Sequence, residues 1–141
     1  MKLLPVLGLA LLLPAGASLH AQPRAEHAAS CVAALQTEAE ALAEAFRKGR
    51  TEVEPELVRL VREGFAFIGV AYKQGLRDED ADRLLKEAEA AQERLPPEEL
   101  AARQQACRAE CARILANANI IEQAFVNRAA QRRVDKLKQA S

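Results

Sequence analysis

Four residues have types and spacings that could do chemistry: His27, Cys31, Cys107 and Cys111. His27 precedes Cys31 by four residues and Cys107 precedes Cys111 by four, so on helices each pair shares one face. One nitrogen and three sulfurs on two neighbouring helices form a set that suits zinc or copper(I). Oxidation competes for the same thiols. A bond between Cys107 and Cys111 would be strained, because i,i+4 helical positions do not bring the two Cβ atoms to the usual approach. The expectation is therefore a disulfide from Cys31 to Cys107, with Cys111 as the alternative partner. The His27, Cys31, Cys107, Cys111 metal set is the competing reading.

Those residues need an oxidising compartment for the disulfide to form, and the start of the chain supplies the reason to expect one. Met1-Lys2 is a short basic opening, Leu3 to Leu13 is an almost unbroken apolar run, and Pro14-Ala15-Gly16-Ala17 leads to Ser18-Leu19-His20-Ala21. This is the pattern of a secretory signal peptide over residues 1–21, cut after Ala21 or, alternatively, after Ala17. The apolar run is shorter than the roughly 20 residues that a membrane-spanning helix takes. The expected address is the periplasm in a bacterium and the extracellular space otherwise.

Catalysis finds little to work with. His27 is the one histidine beyond the signal segment, so a Ser-His-Asp arrangement would have to use a residue near the mature start. No glycine-rich phosphate loop and no Cys-x-x-Cys-His haem attachment occurs. No cofactor is expected, and the chain reads as a non-enzymatic protein.

The elements that must position the cysteines are helices. Alanine, leucine, glutamate and arginine dominate the composition and β-branched clusters are missing, which is an all-α pattern. The first helix is expected from about Arg24 to Lys48, with Ala28, Cys31, Leu35, Ala39, Leu42 and Phe46 on one face and Gly49 as its left-handed stop. The second begins between Thr51 and Pro55, from a Thr51/Glu54 capping box or from a Glu54 cap with Pro55 at the first helical position. Its apolar residues (Leu57, Leu60, Val61, Phe65, Ile68, Tyr72) cover most of the circumference, so it should be the most buried. Gly64 and Gly69 are expected where a neighbouring helix comes close. Gly75-Leu76 ends that helix, and the third runs from Asp78 to Arg94 with an acidic first turn. Asp78, Asp80, Asp82 and Glu89 match calcium-loop positions, but Arg83 stands where that loop needs glycine.

From Pro97 onward about forty residues lack glycine and proline. They read as one long helix whose arc of Leu100, Gln104, Cys107, Cys111, Ile114, Ala118, Ile121 and Phe125 faces the body. Short connections make successive helices antiparallel neighbours. Counting residues as height puts Cys31 level with about residue 110 of the last helix, within reach of both cysteines there. The third helix is much shorter than the fourth. The expected architecture is therefore an all-α antiparallel bundle of four helices over residues 22–126, with the long C-terminal helix projecting beyond it as a basic amphipathic extension over 127–141. The alternative is a break at Asn117-Ala118-Asn119, with the remainder folding back.

Charge points the same way. Residues 22–123 hold 14 basic and 19 acidic side chains, a net of −5, while 124–141 hold five basic and one acidic, a net of +4. The near-neutral total argues against a nucleic-acid partner. A membrane-surface role for the tail is weak, since its apolar line is mostly Val and Ala. The expected function is an adaptor, inhibitor or assembly module that meets a protein partner, or a second copy across a coiled-coil seam, through Ile120, Val126, Arg128, Arg132, Val134, Lys136 and Leu137. Metal or thiol handling at the cysteine cluster is the alternative.

Overall fold

Left-handed glycines and the Pro96-Pro97 pair divide the chain into helices, with one further division, and the first helix starts at Gly16 rather than at Arg24. The computed structural model describes residues 16–140, with side chains from residue 24; most of the signal segment lies outside them. The elements are α1 (Gly16–Arg47), α2 (Glu54–Lys73), α3 (Asp78–Gln92), α4 (Pro97–Asn117) and α5 (Ile120–Gln139), with a 3-10 turn at Thr51–Val53. Among the described residues there is no strand, and no helix is long and apolar enough to cross a membrane.

The first two stops are Schellman motifs. Gly49 has φ 97°, its N–H donates to the Phe46 carbonyl, and the Arg50 N–H donates to that of Ala45. Gly75, at φ 98°, repeats the arrangement, with Leu76 N–H donating to the Ala71 carbonyl and the Leu76 side chain packed on the core. Only glycine takes these angles without a Cβ penalty. At the start of α2 neither expected cap forms. Val53 is the cap residue, no side chain satisfies the first N–H groups, and Pro55 occupies the first turn.

Helices α1 and α2 form the central pair. Cys31, Leu35, Ala39 and Ala43 of α1 meet Leu57, Leu60, Phe67 and Ala71 of α2 in one apolar cluster. Helix α3 covers α1, and its Gln92 amide donates to the Ala33 carbonyl and to Thr37 Oγ1. Helix α4 runs antiparallel to α1: His27 meets Glu110, Cys31 meets Cys107, and the Gln104 amide reaches the Ala34 carbonyl. Of the whole of α4 just Cys107 and Cys111 are buried.

The expected single long helix is two. At Ala118 the backbone turns extended (φ −73°, ψ 142°), and Asn119 restarts the helix with a capping box. Its side chain accepts from the Glu122 N–H at 2.8 Å, and Glu122 accepts from the Asn119 N–H at 3.0 Å. Helix α5 then returns antiparallel along α2, tied by Lys73–Glu122 at one end and Lys138–Glu54 at the other. The C-terminal helix therefore does not project. The break lets α5 turn to α2 the apolar line Val126, Ala130, Val134, all buried, with Leu137 half-buried. Each large apolar side chain covered this way stabilises the folded-back form by about 1.5–3 kcal/mol, more than a straight exposed helix offers.

Burial of α5 is measurable. Val134→Ala should lower stability by about 2 kcal/mol by leaving a cavity, while Arg132→Ala, on the outer face, changes it by less than about 0.5 kcal/mol. Urea unfolding of the two variants checks this; equal small effects would restore the projecting helix.

Candidate functional site

Among the described residues, two places combine unusual chemistry with access: the cysteine cluster between α1 and α4, and an apolar groove where α4 turns into α5.

In the cluster, Cys31 and Cys107 are joined in a disulfide, with Cα atoms 5.5 Å apart. Both are buried, at 0% and 2% exposure. Helix register did the positioning, since Cys31 lies level with residue 107, three residues from the height counted along the chain. Beside the bridge, His27 Nε2 lies 3.9 Å from Cys31 Sγ and 2.6 Å from Glu110 Oε2. The imidazole stands edge-on to Phe67, ring centres 6.5 Å apart. The sequence reading missed Glu110. It is one carboxylate among many on the helix faces, and nothing in its spacing marks it out.

Cys111 belongs elsewhere. Its thiol is fully buried and donates to the Glu63 carbonyl at 3.7 Å. Burial, and secondarily the Glu63 carboxylate, push that thiol up to about 12. It is an inert packing residue, because the thiolate is the reactive form. The four-residue metal set containing Cys111 is therefore not brought together.

Glu63 of α2, a charged residue in mid-helix, is only 8% exposed. Burial raises its carboxyl above the ordinary range, and the ion pair with Arg59 offsets that only in part. One of its oxygens and the nearby Arg62 Nε are buried without a partner. Arg59 is shared with Glu56, whose carboxyl it holds low.

The groove is built from three elements. Ala66, Gly69 and Val70 of α2, Ile114 and Leu115 of α4, and Ile121 and Phe125 of α5 enclose about 670 Å³. Ile120, Ile121 and Phe125 are 86%, 81% and 70% exposed, although Ile121 and Phe125 were expected to face the body. The break at Ala118 re-aims the helix by bringing the Val126 line inward, and the former stripe swings out to the rim. Gly64 and Gly69 also depart from expectation. A Cβ at either would meet nothing within 4 Å, so no helix approaches them closely. Of the other residues expected at a partner interface, Arg128, Arg132 and Lys136 are exposed on α5, whereas Val126 and Val134 are buried and Leu137 is half-buried.

No protein-family model, curated protein or solved structure matches this chain.

The buried groups give two checks. With no reductant, a thiol reagent at pH 8 should find no reactive thiol in the native protein and one in denaturant; two or more would mean that the bridge is absent. Glu63 sets a pH dependence. Its folded state holds a proton more tightly than its unfolded state, so its contribution to stability is present below the ordinary carboxylate range and is lost as pH rises through the raised folded value. Glu63→Gln should therefore gain on the wild type between pH 4 and pH 7 in urea unfolding, and a difference that does not move with pH would place Glu63 in solvent.

Proposed function

We propose that this chain is a small exported, non-enzymatic interaction module that seats an amphipathic helix of a partner protein in the groove between α2 and the α4–α5 elbow. The observation that carries the reading is the exposure of Ile120, Ile121 and Phe125 around an apolar groove. Large apolar side chains gathered in one exposed patch mark interaction surfaces, and about 670 Å³ lies within the 300–1,000 Å³ range of ligand sites.

Two further features support it. Gly69 costs α2 about 1 kcal/mol in helix propensity without serving any close packing, and it keeps the groove floor open. The outer line of α5 is apolar at Ile121 and Phe125 and basic at Arg128, Arg132 and Lys136, all exposed. A complementary partner helix is apolar at one end and acidic at the other. Export is supported by the signal-like start and by the disulfide, which belongs to oxidising compartments.

The test uses a synthetic helical peptide with leucines at i, i+4 and i+7 followed by a run of glutamates, its binding followed by fluorescence anisotropy. Phe125→Asp and Gly69→Phe should each weaken binding at least about tenfold, the equivalent of 1.4 kcal/mol. A lysine-ended peptide should bind more weakly, with the difference shrinking as salt rises. Gly69→Ala should raise stability by about 0.5–1 kcal/mol and keep the groove usable. Absence of peptide binding, or binding that both groove variants leave unchanged, overturns the proposal. Sedimentation of the protein alone identifies a second copy as the occupant if Phe125→Asp converts a dimer to a monomer.

A further inference from the structure

The cysteine cluster holds nitrogen and oxygen donors beside its disulfide. The ligand atoms of His27, Cys31 and Glu110 all lie within 4.8 Å of one another, and Cys107 Sγ is bonded to Cys31 Sγ. These are four donors on two antiparallel helices, two sulfurs, one nitrogen and one oxygen, a set of the kind zinc takes in four-coordinate sites. We propose that the dithiol form of this protein binds one zinc ion through Cys31, Cys107, His27 and Glu110.

The chemistry balances with a dithiol or phosphine reductant as the co-reactant. Two electrons and two protons enter the Cys31–Cys107 bond, which breaks to two thiols. The reductant leaves as a disulfide or a phosphine oxide, the latter taking its oxygen from water. Zinc then displaces both thiol protons, because the thiolate is the ligand.

The geometry needs small movements. Zinc–sulfur bonds of about 2.3 Å and zinc–nitrogen bonds of about 2.0 Å place tetrahedral S–S pairs about 3.8 Å apart and S–N pairs about 3.5 Å apart. His27 Nε2 already stands 3.9 Å from Cys31 Sγ. The two sulfurs part by rotating about their own side-chain bonds. His27 and Glu110, now 2.6 Å apart, must open by about 0.7 Å to the roughly 3.3 Å separation of two ligands on one zinc. Their side chains are 56% and 34% exposed, so both have room, and they give the ion its entry path. Phe67 stands edge-on to the imidazole, which lies beside Cys31 Sγ. Cys111 points to the Glu63 carbonyl and takes no part.

Zinc and the disulfide therefore exclude one another. Oxidation expels the ion, leaving two ligands, and bound zinc shields both thiolates from oxidation. Either state links α1 to α4.

The test is zinc titration of the full mature chain, reduced with a phosphine under nitrogen, against a chromophoric chelator. One zinc per reduced chain and none per oxidised chain is expected. His27→Ala and Glu110→Gln should each weaken binding at least about tenfold, whereas Cys111→Ser leaves it unchanged. Circular dichroism covers the case in which reduction loosens the fold: zinc should restore helicity and raise the melting temperature of the reduced chain alone. Failure to bind or to refold, affinity insensitive to His27→Ala and Glu110→Gln, or dependence on Cys111 each overturns the proposal.

Discussion

Helix α4 buries two residues along its whole length, and one of them is half of the Cys31–Cys107 bridge. Amphipathic packing alone would hold such a helix weakly. The disulfide closes a loop of 76 residues, which in the chain-entropy picture stabilises the fold by about 4 kcal/mol. The rest of the C-terminal half depends on that pin. Once Cys107 is fixed against α1, Ile114 and Leu115 arrive beside α2, the chain reaches Asn117 at the end of the bundle, and α5 has a surface to return along. The Arg108–Glu38 pair and the Gln104 amide then set the rotation of α4 about the bridge.

Along α2 the molecule accepts two costs. Glu63 is buried with one oxygen unpartnered, and mid-helix glycines sit where nothing packs against them. The first follows from α2 lying between α1, α4 and α5, with Cys111 of α4 seated against the Glu63 backbone. Arg59 compensates by reaching to Glu63 from the helix edge while also holding Glu56. The second has no compensation in packing. Gly69 borders the groove at the C-terminal end of α2, where a larger side chain would occupy the open space.

The elbow at Ala118 couples fold to surface. Turning α5 back exchanges one apolar arc for another: Val126, Ala130 and Val134 go inward, and Ile121 and Phe125 go outward. The Gln123 amide, donating to the Leu115 and Ala118 carbonyls, satisfies the end of α4 and holds the bend. The exposed patch is thus a direct consequence of the fold-back that the capping box starts.

Much of this was legible along the chain because it is local. Helix composition, the glycine stops at Gly49 and Gly75, the proline starts, the stripe from Ala28 to Ala39 and the antiparallel register that brings Cys31 to Cys107 all follow from short-range preferences and helix geometry. The apolar stripe even changes phase near residue 126, and Asn119-x-x-Glu122 is a capping box in plain view, so the break had a signal that the absence of glycine and proline outweighed. Tertiary structure decided the rest. Whether forty helix-forming residues stay straight depends on the apolar area of α2 left uncovered, a property of the packed bundle and of no single stretch. The same holds for Glu110, whose place beside His27 depends on how α4 is rotated about its disulfide. The burial of Glu63, likewise, appears only once α4 has packed Cys111 against α2.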